Sequence, residues 1–205
     1  MLIVATATAS YYAMSIGQTH LTLSDGHSVF IARYIDWAIT RPLLLLGTAT
    51  IGVRSLGENK TAIYGAMGAD LYMILTGFAG ALSVDASRWV WYALGCVGFV
   101  AVLPLLFGAL RKNAAEAGRE ARYVRLVIVL TLLWVQYPIV WLVGEERLRV
   151  LSPAGSTVWY TALDVLAKVA FGFLSLATVN ALDPAVESPI PLVPSRRTTP
   201  VFDQR

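Results

Sequence analysis

Long apolar blocks alternate with short polar connections along the whole chain. Six blocks can be read, at Met1–Gly17, Phe30–Val53, Thr61–Ser83, Arg88–Leu110, Val124–Gly144 and Thr157–Asn180. Most reach the roughly 20 residues that a bilayer-crossing helix needs. The first is at the lower limit and opens at Met1 with neither a basic leader nor a clear small-residue cleavage site, so a signal peptide is the weaker reading. The pattern predicts an all-α helical bundle spanning a membrane, over residues 1–182. The closing stretch, residues 183–205, is rich in proline and polar residues and reads as a disordered tail. No internal repeat is visible.

The last block contains WYTALDVLAKVAFGFLSL, in which Asp164 and Lys168 stand four apart in apolar surroundings. Residues i and i+4 share a helix face, so the carboxylate and the amine look the same way. Ionisable groups inside a membrane are costly and mark function by default. An amine with a depressed proton affinity is suited to condensing with an aldehyde, and Asp164 would neutralise the resulting cation. A structural ion pair stapling two helices explains the same residues, and this stretch alone does not choose. Arg33, Arg41, Asp36 and Asp70 also lie within blocks, giving three bases and three acids in all. Balanced charge can be satisfied internally, so all six are expected to face the bundle interior.

In block two Arg33, Asp36 and Thr40 fall at i, i+3 and i+7, one stripe of a helix and a plausible proton path. A salt-bridged helix entrance accounts for Arg33 but leaves Asp36 and Thr40 too deep. Gly47, eleven residues after Asp36, returns to nearly the same face roughly 16 Å further along, where a proton donor would be wanted. Arg41 points away from this stripe, and Asp70 on block three is its expected partner in a structural pair. Block five carries Trp134, Tyr137 and Trp141 at i, i+3 and i+7, with Pro138 beside them. Trp37, Trp91, Tyr92 and Tyr11 are further ring candidates. An interfacial belt accounts for Trp141, whereas Trp134 and Tyr137 lie too deep for one. A ring-lined slot beside a buried amine suits a long, flat, conjugated apolar ligand.

Composition agrees: 57% of residues are hydrophobic and 14% charged, unlike a soluble domain. The net charge of +3 reflects topology rather than nucleic-acid binding. The connections after blocks two and four, with the tail, hold ten Lys and Arg against three on the other side (Arg88, Arg147, Arg149), which puts the C-terminus in the cytoplasm. A lone Cys96 excludes an internal disulfide, and His20 and His27, read as solvated loop residues, leave a metal site little to build on.

RYIDWAITRPLLLL, GADLYMILTGFAGAL, WVQYPIVWLVGEE and LDVLAKVAFGF, in this order, resemble the third, fourth, sixth and seventh helices of the microbial rhodopsins of the bacteriorhodopsin kind. The resemblance covers about Tyr11 to Leu182 and implies a seven-helix fold, with six spans here and the first helix missing. It implies all-trans-retinal as cofactor, bound as a Schiff base on Lys168. Asp36 becomes counterion and primary proton acceptor, and Asp164 second counterion. Arg33 gates the extracellular side, Thr40 is the acceptor's hydroxyl partner, and Tyr11 hydrogen-bonds the second counterion. Trp37, Met73, Trp134, Tyr137 and Trp141 sandwich the polyene, and Tyr92, Gly95 and Phe99 complete the pocket. Glu146 matches one glutamate of a release pair whose other position is Ser156. Arg41 stands where the family has a small polar residue. Asp36, Thr40 and Gly47 resemble the Asp-Thr-Gly group of bacterial proton pumps.

The function this implies is a light-driven outward proton pump, not an enzyme, in the plasma membrane, with retinal, protons and lipid as partners and a homo-oligomer left open. Asp36 opposes an anion pump, and the Asn-Asp-Gln pattern of sodium pumps is absent. A sensory photoreceptor with a membrane partner is the alternative, favoured by the missing donor carboxylate. A helical membrane protein with structural ion pairs and no pigment is the third reading.

Overall fold

A computed structural model of the chain describes residues 1–144 and 146–181; the expected tail lies outside them. Six helices run through the described residues: α1 (Leu2–Ser15), α2 (Ile31–Gly52), α3 (Leu56–Leu82), α4 (Ser87–Glu116), α5 (Glu120–Val143) and α6 (Pro153–Asn180). The last four are long and apolar enough to cross a membrane. α2 has 22 residues, about 33 Å of helix, but carries Arg33, Asp36 and Arg41. With 14 residues α1 reaches only about 21 Å, so the first block is shorter than a full span. The protein is a multi-pass membrane protein.

The irregularities of these helices have local causes. Pro138 offers no N–H to the Trp134 carbonyl, and α5 breaks at Val135, just where its rings turn inward. α4 widens into a π-turn at Leu105–Leu110, directly after Pro104, and continues to Glu116, so part of the expected basic loop is helix. A second π-turn, Leu166–Ala170, carries Lys168 at its middle. Such turns displace the following side chains around the helix and recur at functional sites. α6 starts on Ser152, whose Oγ accepts from the Gly155 N–H at 3.1 Å, with Pro153 in the first turn.

Small residues set the spacing. Gly98 and Gly95 of α4 face α3, where a Cβ on Gly98 would lie 3.0 Å from the Met73 Cβ and 3.1 Å from the Ala69 carbonyl. Gly52 closes α2 against Tyr123 of α5, a fully buried ring whose hydroxyl donates to the Leu106 carbonyl.

The polar connection after α1 is not a plain loop. His20–Thr22 and Ser28–Phe30 pair antiparallel, His20 opposite Phe30, and Gly26 takes the left-handed conformation in the turn (φ 82°). His27, expected to be solvated, is 1% exposed. Its Nε2 donates to the Ala81 carbonyl at 2.7 Å and its Nδ1 lies 2.5 Å from Asp25 Oδ1. Arg88 reaches Asp25 at 2.7 Å and Arg149 reaches it at 2.9 Å, so the hairpin is clamped to the ends of α3, α4 and the α5–α6 connection. Sequence alone could not see this, because the partners lie 61 and 124 positions away.

Burial acts to raise the Asp25 carboxyl, but hydrogen bonds from His27 and Arg88 outweigh it and hold the group well below the usual carboxylate range. A depressed folded value means that this stabilisation is present above about pH 4 and fades only as the pH falls through the folded value. Asp25→Asn removes the charge at every pH, and proteolysis within the hairpin at pH 7 is expected to rise several-fold; cleavage equal to the wild type would show that the clamp holds nothing. At the other end, Gly52→Ala puts a Cβ 2.6 Å from the Tyr123 ring. Overpacking of this kind is expected to cost about 1–3 kcal/mol and lower the midpoint of thermal unfolding in detergent.

Candidate functional site

Lys168 lies where α2 and α6 meet. The π-turn aims its side chain into the bundle, and the residue is 4% exposed. The Nζ makes a close ion pair with Asp36 Oδ2 on α2 and lies 3.2 Å from Asp164 Oδ2, one turn back on its own helix. In low dielectric, an ammonium at this depth requires such partners. The six charged residues expected to face the interior are all buried: Arg33, Asp36, Arg41, Asp70, Asp164 and Lys168.

The two carboxylates differ in their surroundings. Asp164 accepts from the Tyr137 hydroxyl at 2.6 Å, from the Tyr11 hydroxyl at 2.8 Å and from the Trp37 Nε1–H at 3.1 Å. Three elements besides its own thus fix its orientation. Asp36 has Lys168 on Oδ2. Thr40, expected as the hydroxyl partner, donates to the Asp36 backbone carbonyl at 2.8 Å, a back-bond within α2 that also sets its hydroxyl beside the Asp36 carboxylate.

Toward the hairpin end, Arg33 is buried with its Cζ 4.5 Å from the Tyr160 ring centroid. It donates to Thr157 at 3.3 Å and lies 3.7 Å from Glu146 Oε1. Ser156, at the second position of the release pair, is buried nearby on α6, its Oγ 3.0 Å from the Cβ position of Gly144. At the opposite end Gly47 is exposed, with nothing within 4 Å of its Cβ position.

A narrow apolar slot of about 60 Å³ runs between α2, α3, α4 and α5. Its walls include Trp37, Met73, Tyr92, Gly95, Tyr137 and Trp141. Tyr92 and Trp141 stack at 5.3 Å, while Trp37 and Tyr137 meet edge-on at 5.1 Å. Two expected pocket residues are not in the walls: Trp134 is buried behind the slot, under Arg41, and Phe99 packs against the core. Arg41 itself, Tyr34, Ile74, Gly77 and Cys96 are wall residues that sequence reasoning missed. Their signal was weak, since a small residue or a paired cation in an apolar block reads first as packing. Lys168 lines a separate groove of about 420 Å³ between α1 and α6, together with Tyr11 and Asp164. Trp37 and Tyr137, hydrogen-bonded to Asp164, form the partition between groove and slot.

A multi-pass helical bundle with a buried lysine between unequal carboxylates, flanked by a ring-lined slot, defines a membrane protein built to hold a conjugated aldehyde. The family model described as "Bacteriorhodopsin-like protein" matches residues 1–182, and the chain belongs to that family, whose members bind retinal as chromophore. The halorhodopsin of Natronomonas pharaonis is 36% identical over 182 residues, covering 87% of this chain and 61% of the relative. Archaerhodopsin-2 of Halobacterium sp. (strain aus-2) is 36% identical over 93% of this chain and 74% of its own length. Among solved structures, the light-driven proton pump rhodopsin of Coccomyxa subellipsoidea superposes with a TM-score of 0.79 at 36% identity, over 86% of this chain and 79% of that one. The thermophilic rhodopsin of Rubrobacter xylanophilus gives 0.84 at 34%, over 88% and 80%. The chain thus spans about three fifths of the length of the halorhodopsin it matches.

The residues present fit retinal chemically: an amine for the aldehyde, carboxylates for the resulting cation, and an apolar slot with glycine at Gly77 and Gly95 where larger side chains would intrude. The charge cluster makes a prediction that needs no ligand. Removing one partner of a buried pair costs about 3–5 kcal/mol. Lys168→Met is expected to lower the unfolding midpoint of the ligand-free protein, and adding Asp36→Asn to restore part of it. Equal midpoints for the single and double variants would show that amine and carboxylate are not coupled.

Proposed function

We propose that the chain is a light-driven outward proton pump with all-trans-retinal on Lys168. The observation that carries this reading is the inequality of the carboxylates. Donors from Tyr11, Tyr137 and Trp37 occupy the oxygens of Asp164, whereas Asp36 has only Lys168 and the hydroxyl of Thr40 beside it. Two acids facing one cation in different surroundings divide into a fixed counterion and a proton acceptor.

Bound as a Schiff base, retinal supplies an imine proton that light makes available. Asp36 Oδ2 stands against the nitrogen and receives that proton. Asp164, held by its three donors, keeps its charge and orientation. Arg33 lies one turn from Asp36 toward the hairpin and balances Glu146, so a proton arriving on Asp36 weakens its hold on the cation and favours release at that end. With Gly47 at the far end, water rather than a side chain refills the nitrogen. Trp37, Tyr137, Tyr92 and Trp141 orient the polyene and keep water from it. The bundle occupies residues 1–182, and the basic connection and tail face the cytoplasm, which makes the hairpin end extracellular.

A sensory photoreceptor is the second reading, favoured by Gly47, because slow refilling suits a signalling cycle. Moving one charge against 100 mV requires about 2.3 kcal/mol, within reach of an absorbed photon. Cells expressing the protein with added all-trans-retinal are expected to acidify their medium on illumination, independently of chloride, with the response lost under a protonophore. Asp36→Asn should keep a visible pigment and abolish the acidification. A coloured wild type that moves no protons favours the sensor, and acidification surviving in Asp36→Asn removes the acceptor role.

A further inference from the structure

Arg41 is a buried cation that the proton route leaves idle, yet it stands in the slot wall. It follows Trp37 by one turn on α2, and its Cζ lies 4.1 Å from the Trp134 ring centroid and 5.1 Å from that of Tyr137. Its Nη2 is 3.2 Å from Asp70 Oδ1 on α3. The pair holds α2 against α3, yet its two members stand differently toward the slot. Asp70 is fully buried and is not a wall residue. The slot therefore meets the guanidinium first, with its countercharge set behind it, in a medium where such a field is weakly screened.

We propose that Arg41 determines the colour of the pigment: it is a fixed cation beside the path of the conjugated chain that moves absorption to shorter wavelength. This rests on the reading that Lys168 carries retinal. The charge of a protonated polyene imine is centred at nitrogen in the ground state and moves along the chain away from nitrogen on excitation. Tyr137 and Asp164 separate Arg41 from the lysine nitrogen, whereas the slot passes Arg41 directly. The displaced charge thus approaches the guanidinium, and the excited state is raised more than the ground state.

The test compares purified wild type, Arg41→Lys, Arg41→Gln and Arg41→Gln/Asp70→Asn after addition of all-trans-retinal. Arg41→Gln and the charge-neutral double variant are expected to absorb on the order of 10 nm or more to the long-wavelength side, while Arg41→Lys stays near the wild type. The double variant serves if Arg41→Gln alone does not fold. Coloured variants that share one maximum overturn the proposal, as does a red shift in Arg41→Lys equal to that in Arg41→Gln, which would mark packing rather than charge. A colourless wild type defeats the Lys168 reading itself and is thereby distinguished. Infrared spectra of the ligand-free proteins give a second readout. Arg41→Gln is expected to gain the band of a buried protonated carboxyl that wild type and double variant lack, and such a band already in the wild type overturns the charge pair.

Discussion

The ammonium of Lys168 between Asp36 and Asp164 is the constraint to which the rest of the bundle answers. A lone cation at this depth would give up its proton rather than stay charged, so the two acids must come within contact distance and stay there. One comes from α2 and one from α6, which ties the two helices at that level. The π-turn at Leu166–Ala170 keeps Asp164 and Lys168 within 3.2 Å on one helix while turning the amine toward α2. Tyr137 sits beside the break that Pro138 imposes on α5, and from there its hydroxyl reaches Asp164 at 2.6 Å. These two departures from regular helix thus serve the position of one nitrogen.

Charge is distributed in levels along the bundle. Asp25, Arg88 and Arg149 close the hairpin end, Arg33 and Glu146 come next, and the Lys168 centre lies below them. Arg41 and Asp70 occupy the level beyond, one turn further along α2. Every level joins different helices, so the polar contacts set the relative rotation of helices whose apolar faces would tolerate many. Attraction alone does not account for the arrangement, because burying these groups has a large desolvation cost. Specific placement of the charged groups is what the arrangement achieves.

Periodicity made much of this legible. The four-residue spacing of Asp164 and Lys168 put both on one face, and the equal number of acids and bases inside apolar blocks implied an interior cluster. Relations that depend on which atom of a residue is used were not legible. Thr40 lies on the Asp36 stripe beside its carboxylate, but that its hydroxyl also bonds back to the Asp36 carbonyl was not visible. His27 reads as loop because a two-stranded hairpin of three-residue strands carries almost no pattern, and its distant partners, Ala81 and Arg88, lie at the facing ends of α3 and α4. The eleven-residue spacing puts Gly47 near the face of Asp36, yet the position itself is exposed while Thr48 and Ala49 beside it are buried. Trp134 was taken for a slot wall because a face of rings looks uniform in sequence, whereas a guanidinium lies across it.

The two sides of the lysine are built differently, and this bears on direction. Toward the hairpin the chain supplies a graded series: the carboxylate of Asp36, a buried guanidinium on Arg33, and Glu146 within 3.7 Å of it. Toward Gly47 the next charged level is Asp70, held by Arg41, and Gly47 itself offers no proton-carrying side chain. In the proposed pump, a proton that reaches Asp36 cancels the charge that holds Arg33, which turns the guanidinium toward Glu146 and favours release at that end. The refilling step has only water to draw on and follows the proton concentration on that side. Direction then comes from the asymmetry between an exit lined by Arg33 and Glu146 and an entrance without a donor at Gly47, with light needed only to move the nitrogen's proton onto Asp36.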